Sequence, residues 1–572
     1  MITILRNVTL LPTVYMDKEE YNVHLGRILQ SLRGLYKNRD TNILRNTRIA
    51  NPQQALSGVF EQMNHHEPHH ENVLEIKTTL SKIMRTVSPH LNFHYSSVVE
   101  KKRGGERVVR VGFVSAYFNQ HSVAKYSCPL MQKLKSHLGG KFNVVGIGVG
   151  PYSNPKTRYA KKSHADAFQD CQASCHQYVH FFHGSRTEDF EAIANMKLDV
   201  LIYTEVGLSP VLYLMAHARL APVQLAHLGN PHTHGIDTID YIVWSPSYMP
   251  KGVQSIGIVD NTTGVKVCPS TVPRNVIGFN FTEKVLCLEH LGLYVKKPPT
   301  PDDDDLTVAF KLLQNFGIRL RCRQHFAHLD ICPEGNDSNY DNAYFFPHSP
   351  SKFASASRDH IYRHILEHDP RAKLIFLSGH KDGDYFQNAL FNRWNRSIPL
   401  DPNHTLRNLK LLRKRMIWLP YTPLSIYLSL GVLSNVVLDV CPNGMGVSAL
   451  EMLSVNVPVI PSPYCKNVAR LSQGFYTYMG FDFLQNDTVA NVEDKTHAVD
   501  LTRFLPRNDH EFLSQVYKMV NRDKVDGDYE AAMKALVESR TKALFWNEHA
   551  FDEWVELLIA LAKAARKQFR KE

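Results

Sequence analysis

The chain has no apolar run approaching the ~20 residues needed to cross a bilayer, which excludes a membrane-spanning helix. Cysteine is scarce: nine in 572 residues, odd in number and scattered, unlike the dense framework that staples small secreted domains. That reading places the chain in a reducing compartment, the cytoplasm or the nucleus, where its sequons at Asn7, Asn261, Asn280, Asn395, Asn403 and Asn486 carry no meaning. The densest metal-type group, Cys171, Cys175 and His176, has the wrong spacing for zinc and no second ligand pair, so no metal is expected. No ~34-residue repeat announces a helical solenoid. No zinc-finger, RNP-like or helix-turn-helix pattern announces a nucleic-acid reader. The opening stretch MITILRNVTLLPTVYMDKEE carries Arg6 inside its apolar run and no small-residue cleavage site, so it reads as folded chain rather than a signal peptide.

What is present describes a globular protein: 43% hydrophobic and 21% charged residues, in a chain long enough for several domains. A net charge of +11 suits an anionic ligand or partner. The strongest basic cluster is terminal, where Lys563, Arg566, Lys567, Arg570 and Lys571 end an apolar helix containing Trp554, Leu557 and Leu558. A docking helix with a dipole-compatible end accounts for it. Nucleic-acid binding is the sharper alternative, and no motif stands behind it.

The most informative stretch is Asn435 to Pro463, NVVLDVCPNGMGVSALEMLSVNVPVIPSP. Two short valine-rich runs read as buried parallel strands, which require a crossover helix between them. Ala449, Leu450, Met452 and Leu453 supply the helix formers, while Pro442, Gly444 and Gly446 forbid an earlier start. A helix that starts bare behind a glycine-rich turn offers free N–H groups and the positive end of its dipole to a phosphate. Ser448 adds a hydroxyl, and Glu451 can accept the vicinal hydroxyls of a ribose. The same residues also suit an ordinary strand–helix–strand unit in which Ser448 and Glu451 merely cap the helix.

Residues 1–105 read as mostly helical, with apolar stripes at Val23–Tyr36 and Val73–Val87. The histidine-rich Gln62–Glu71 reads as a solvated loop. From Arg107 strands alternate with helices through RVVRVGFVSAYF, FNVVGIGVG, DVLIYTEVG, APVQLAHLGNP and DYIVWSP, the pattern of a doubly wound sheet. Ligands bind beyond the carboxyl ends of such strands. There stand His121, in the turn FNQHSVAK, and the loop LGNPHTHG with Gly229, Asn230 and Pro231. The histidine can serve as a base or be an ordinary loop residue, and the loop can face a ligand or simply turn the chain. Residues 297–341, with the acidic run Asp302–Asp305, read as an insertion or linker. A second α/β unit spans 342–545, with Lys352 just past its first strand, and 546–572 form the terminal helix. Two open sheets facing one another leave a cleft.

These blocks, in this order, resemble the catalytic region of the O-GlcNAc transferase family, including its bacterial relatives. VGFVSAYFNQHSVAK, DVLIYTEVGLSP, APVQLAHLGNPHTHG and DYIVWSP are similar to successive family blocks of the first half; FFPHSPSKF and VVLDVCPNGMGVSALEML are similar to those of the second. The likeness runs with interruptions from about Arg107 to the end of the chain. It implies a GT-B arrangement, two Rossmann-like domains (106–296 on the acceptor side, 342–545 on the nucleotide-sugar side) behind a helical N-terminal region. It also implies a metal-independent inverting glycosyltransferase without a cofactor, using UDP-GlcNAc or another nucleotide sugar on Ser or Thr of a protein acceptor. On that resemblance His121 and Lys352 are catalytic. Lys352, Gly446, Val447, Ser448, Glu451 and Arg470 bind the donor, and Gly229, Asn230 and Pro231 line the acceptor side. The chain departs from animal members, which carry a histidine and two threonines where Gly446, Val447 and Ser448 stand, and a lysine and a histidine where Leu424 and Tyr427 stand. Those departures leave two alternatives open: a nucleotide-sugar-binding scaffold without transfer, or a relative using glucose, fucose or an asparagine acceptor.

Overall fold

The computed structural model describes the chain apart from residues 13, 38–43, 45, 57–70, 96–107, 152–161, 231, 250–257, 261–262, 269–280, 321–339, 349, 354, 379–382, 398–408, 443, 464–469, 484–500, 521–528 and 569–572. Pro231 and all but the last residue of the histidine-rich stretch lie outside the described residues, as do most of the sequons.

The N-terminal region is helical, with α1 (Ile2–Val8), α2 (Lys18–Lys37) and α3 (Glu71–Val87). On α2 the buried Tyr21, Leu25, Ile28, Leu29 and Leu32 form the stripe that helical spacing predicts. The first α/β unit runs β1 (Val109–Ser115), α4 (Ala124–Lys135), β2 (Phe142–Val149), α5 (Lys162–Ala173), β3 (Gln177–Phe181), α6 (Thr187–Ala194), β4 (Val200–Tyr203), α7 (Pro210–Met215), β5 (Val223–Ala226) and β6 (Tyr241–Trp244). Three further strands, β7 (Ile258–Val259), β8 (Lys266–Val267) and β9 (Lys284–Cys287), complete a nine-stranded sheet ordered β3-β2-β1-β4-β5-β6-β9-β8-β7. Its first seven strands in that order are parallel; β8 and β7 join antiparallel at the edge.

The second unit carries α8 (Asp303–Asn315), β10 (Asn342–Phe345), α9 (Asp359–His368), β11 (Ala372–Leu377), α10 (Gly383–Ser397), α11 (Leu409–Arg415), β12 (Met416–Leu419), α12 (Leu424–Leu433), β13 (Val436–Leu438), α13 (Val447–Ser454) and β14 (Val459–Ile460). Its five strands are parallel in the order β12-β11-β10-β13-β14. Beyond them α14 (Leu471–Tyr478) packs on the phosphate-type turn, and α15 (Asp509–Val520), α16 (Tyr529–Arg540) and α17 (Glu548–Gln568) end the chain. Central strands such as β4, β5 and β13 are buried along their whole length, which is why they read as unbroken apolar runs. In both sheets the order reverses beside the first strand, between β1 and β4 and between β10 and β13. Such a reversal splays the following loops apart and opens a crevice.

Two readings of the sequence change. The supposed linker 297–341 contains α8, because Asp302 and Asp305 close a reciprocal capping box and Ser425 of α12 donates to Asp305 Oδ1 at 2.7 Å. The acidic run is a helix start rather than a solvated loop. Among the described cysteines, expected to be free thiols, Cys128 of α4 pairs with Cys171 of α5 and Cys268 with Cys287, both with Cα atoms 5.1 Å apart, while Cys175 is free. That removes the ground for placing the chain in a reducing compartment. Among the described residues, no helix is long and apolar enough to cross a membrane.

Candidate functional site

The second switch point is built around Asp439, the residue that follows β13. It is wholly buried, and its carboxylate accepts the N–H groups of Val440 and Met445, each at 2.7 Å, and the hydroxyl of Ser472. Those bonds curl the chain back so that Gly446 becomes the N-cap of α13. Gly446 has no side chain to cap that helix, and among the described residues no other side chain bonds to its first N–H groups. Burial pushes the Asp439 carboxyl up to about 6, against the pull of its three donors and of the Lys352 charge. His348 Nε2 lies 3.9 Å from the same carboxylate.

Lys352 sits in a short 3₁₀ turn, Pro350–Phe353, beyond β10, the strand adjacent to β13. The turn is fixed from beneath. Phe353 packs edge-on to Phe346 and Phe376, and the buried Arg393 of α10 donates to the Phe353 carbonyl at 2.9 Å while forking onto Asp359. Arg393 also donates to the Tyr15 carbonyl at 3.0 Å, tying the N-terminal helical region to this unit. Arg470 opens α14, whose Leu471 comes within 3.1 Å of where a Cβ on Gly446 would stand. Its guanidinium donates to Gln473, and burial pushes it down to about 10.

The first switch point faces it. At the end of β4, Glu205 accepts the Ala116 N–H at 2.7 Å, the Ser115 hydroxyl at 2.9 Å and the Thr204 hydroxyl, which pins the start of the turn that carries His121. Burial raises its carboxyl to about 7. His121 is half-buried and stacks on Tyr117 with ring centroids 4.4 Å apart. Its Nδ1 accepts the Val123 N–H at 3.3 Å, so the neutral ring carries its proton on Nε2. Gly229 and Asn230 brace the same region from β5: a Cβ on Gly229 would stand 2.2 Å from the Thr204 carbonyl, and Asn230 donates to Val206 O at 2.6 Å. Asn230 is buried and Gly229 half-buried, and their described contacts stay inside the first unit.

One ion pair crosses the units beside this site. Lys125, one helical turn beyond His121, forms an ion pair with Glu451 of α13, and the buried Tyr427 hydroxyl donates to the same carboxylate. The sequence-predicted His121, Lys352, Gly446 and Arg470, with Val447, Ser448 and Glu451 on the first turns of α13, therefore lie at two facing switch points. Asp439, Lys125, Glu205 and Arg393 were missed. Asp439 and Glu205 each follow an apolar strand and could have been found there. Nothing local distinguishes Lys125 or Arg393. Cys171 and His176 are committed elsewhere, one to Cys128 and the other to accepting the Val144 N–H at 3.1 Å.

No protein-family model matches the sequence, and no curated protein does. Among solved structures, the chain is similar to a lysine-to-methionine mutant of the Thermobaculum terrenum O-GlcNAc transferase, with a TM-score of 0.60 and 14% identity over 95% of this chain and 82% of that one. An E. coli trehalose-6-phosphate protein bound with UDP-2-fluoroglucose matches with a TM-score of 0.41 and 10% identity, over 78% of this chain and 99% of that one. The lipopolysaccharide outer core galactosyltransferase WaaB matches with 0.39 and 9%, over 79% and 99%. What the chain shares with the first of these is its architecture. With its two parallel sheets and their facing switch points, the chain has the GT-B fold.

Proposed function

We propose that the chain is an inverting, metal-independent glycosyltransferase of the O-GlcNAc transferase type, moving GlcNAc from UDP-GlcNAc to a Ser or Thr hydroxyl of a protein. One arrangement carries the reading: Lys352 and the uncapped start of α13 flank the buried Asp439, opposite the turn of His121. The acceptor oxygen attacks the anomeric carbon on the face opposite the diphosphate, whose bond breaks as the new one forms. The protein's main task is then to stabilise charge on the departing diphosphate. Lys352 supplies a point charge, α13 its N–H groups and dipole, Ser448 a hydroxyl, and Arg470 a largely desolvated guanidinium that bonds to no carboxylate among the described residues. Glu451 accepts the ribose hydroxyls. With its proton on Nε2, His121 acts as a donor that orients the acceptor or the sugar, and the acceptor's hydroxyl proton passes to an oxygen of the departing diphosphate.

A second reading, donor binding without transfer, is favoured by Glu451: its carboxylate is already engaged by Lys125 and Tyr427. Purified protein incubated in EDTA with a panel of radiolabelled sugar nucleotides separates the two. Turnover of one donor, falling on the order of a hundredfold or more in Lys352→Ala, supports transfer and names the sugar. Binding without turnover leaves the scaffold, and neither result with any donor sinks both.

A further inference from the structure

Of the six described cysteines, five are disulfide-bonded: Cys128 with Cys171, Cys268 with Cys287, and Cys441. Cys175 alone is a free thiol among them. Both described pairs meet the spacing a bridge requires, Cα atoms 4.4–6.8 Å apart. They close separations of 43 and 19 residues, so neither is a by-product of neighbouring positions in the chain. Nor are they surface accidents. Cys128 and Cys171 are buried between the helices on either side of β2, and Cys268 and Cys287 are buried where β8 meets β9, with the Cys268 N–H on the Val285 carbonyl at 2.8 Å.

We infer that the chain folds and works in an oxidising compartment, where these bonds are permanent parts of the structure. Bridges of this kind persist outside the cytosol and are rare within it. Each forms when two thiols give two electrons and two protons to the disulfide of a thiol oxidoreductase of that compartment, which leaves as a dithiol. The free thiol does not turn the first bridge into a relay. Cys175 lies one helical turn beyond Cys171, with its sulfur 3.2 Å from the Gln172 carbonyl, and burial raises its pKa, which withholds the thiolate that disulfide exchange requires. For the transferase proposed above, the consequence is a change of substrate class: its acceptors are proteins of a secretory or extracytoplasmic space, not those of the cytosol. That clause rests on the transfer reading; the bonds do not.

The test uses the full chain from cells that make it, blocked with N-ethylmaleimide at lysis, denatured and digested without reductant. Peptides holding Cys128 and Cys171, and those holding Cys268 and Cys287, are expected to run as linked pairs that separate on reduction. N-ethylmaleimide on either pair overturns the inference. A donor-turnover assay on the same sample keeps the two proposals apart: linked peptides without turnover sink the transferase alone, and turnover with alkylated pairs sinks the compartment alone.

Discussion

Glu451 is a buried carboxylate in the cleft, and its two neighbours decide what it can do. Lys125 reaches it from the first unit and Tyr427 from α12, so the residue expected to hold a ribose also holds the units together. Breaking a largely buried pair by deleting one partner leaves an uncompensated charge, which costs more than the pair itself contributes. We expect Lys125→Met to lower stability by about 1–3 kcal/mol, with much of the loss restored when Glu451→Gln is added; urea unfolding of the four proteins of the cycle gives the coupling. Additive effects would refute it. Donor affinity should fall in both single variants, and Lys125→Arg should recover part of it. Lys352 and Ser448 stand beside features that the local sequence displays, an apolar strand and a glycine-rich helix start. Lys125 could not be placed that way, because its partner is 326 residues away and nothing in either local pattern refers to the other.

At the scale of elements, strands were legible where both faces are buried and obscure where they are not. β4 and β5 are continuous apolar runs, whereas β3, an edge strand with no fully buried residue, reads as mixed sequence. α8 was hidden by its own start, since four successive aspartates look like solvated charge until two of them are seen closing a capping box. Turns are legible only in part. Gly229 was read as part of a loop that faces a ligand or simply turns the chain, and the structure gives a steric reason for glycine there: its N–H meets the Thr204 carbonyl at 3.1 Å and leaves no room for a Cβ. Gly229→Ala should therefore cost about 3 kcal/mol, because the atom in the way is backbone and cannot swing aside. Thermal or urea unfolding measures it, and an unchanged midpoint would show that the loop has room to move.

At the scale of the molecule, the chain is tied across its own length. α17 returns from the second unit to the first, where Arg566 forks onto Asp199 at 2.8 and 3.0 Å and Trp554 donates to the Gly292 carbonyl at 3.3 Å. The basic end of the chain thus begins in an ion pair, which favours the docking reading over nucleic acid. A structure closed this way should respond to pH as one body, and its buried titrating groups pull in opposite directions. Burial raises Glu205 from 4.5 to about 7 and Asp439 from 3.8 to about 6, so each holds its proton longer folded than unfolded, and stability falls as pH rises across those intervals. His217 and His227 move the other way, from 6.5 to about 3 and about 4, so stability rises with pH up to about 6.5. Between about pH 4.5 and 6 the descents of Glu205 and Asp439, joined by the raised Glu283 and Asp359, oppose the ascents of His217 and His227, joined by the lowered His234, so the wild-type profile should be shallower there than either set alone would make it. Glu205→Gln removes one descent while leaving a side chain of the same shape for Ala116 and Ser115. The variant's stability should therefore climb relative to the wild type by about 3 kcal/mol between pH 4.5 and 7, with the sign fixed by the raised carboxyl. Urea unfolding of both proteins at those two values decides it: parallel profiles would mean that Glu205 is solvated enough to titrate like an ordinary carboxylate, and that it does not pin the His121 turn.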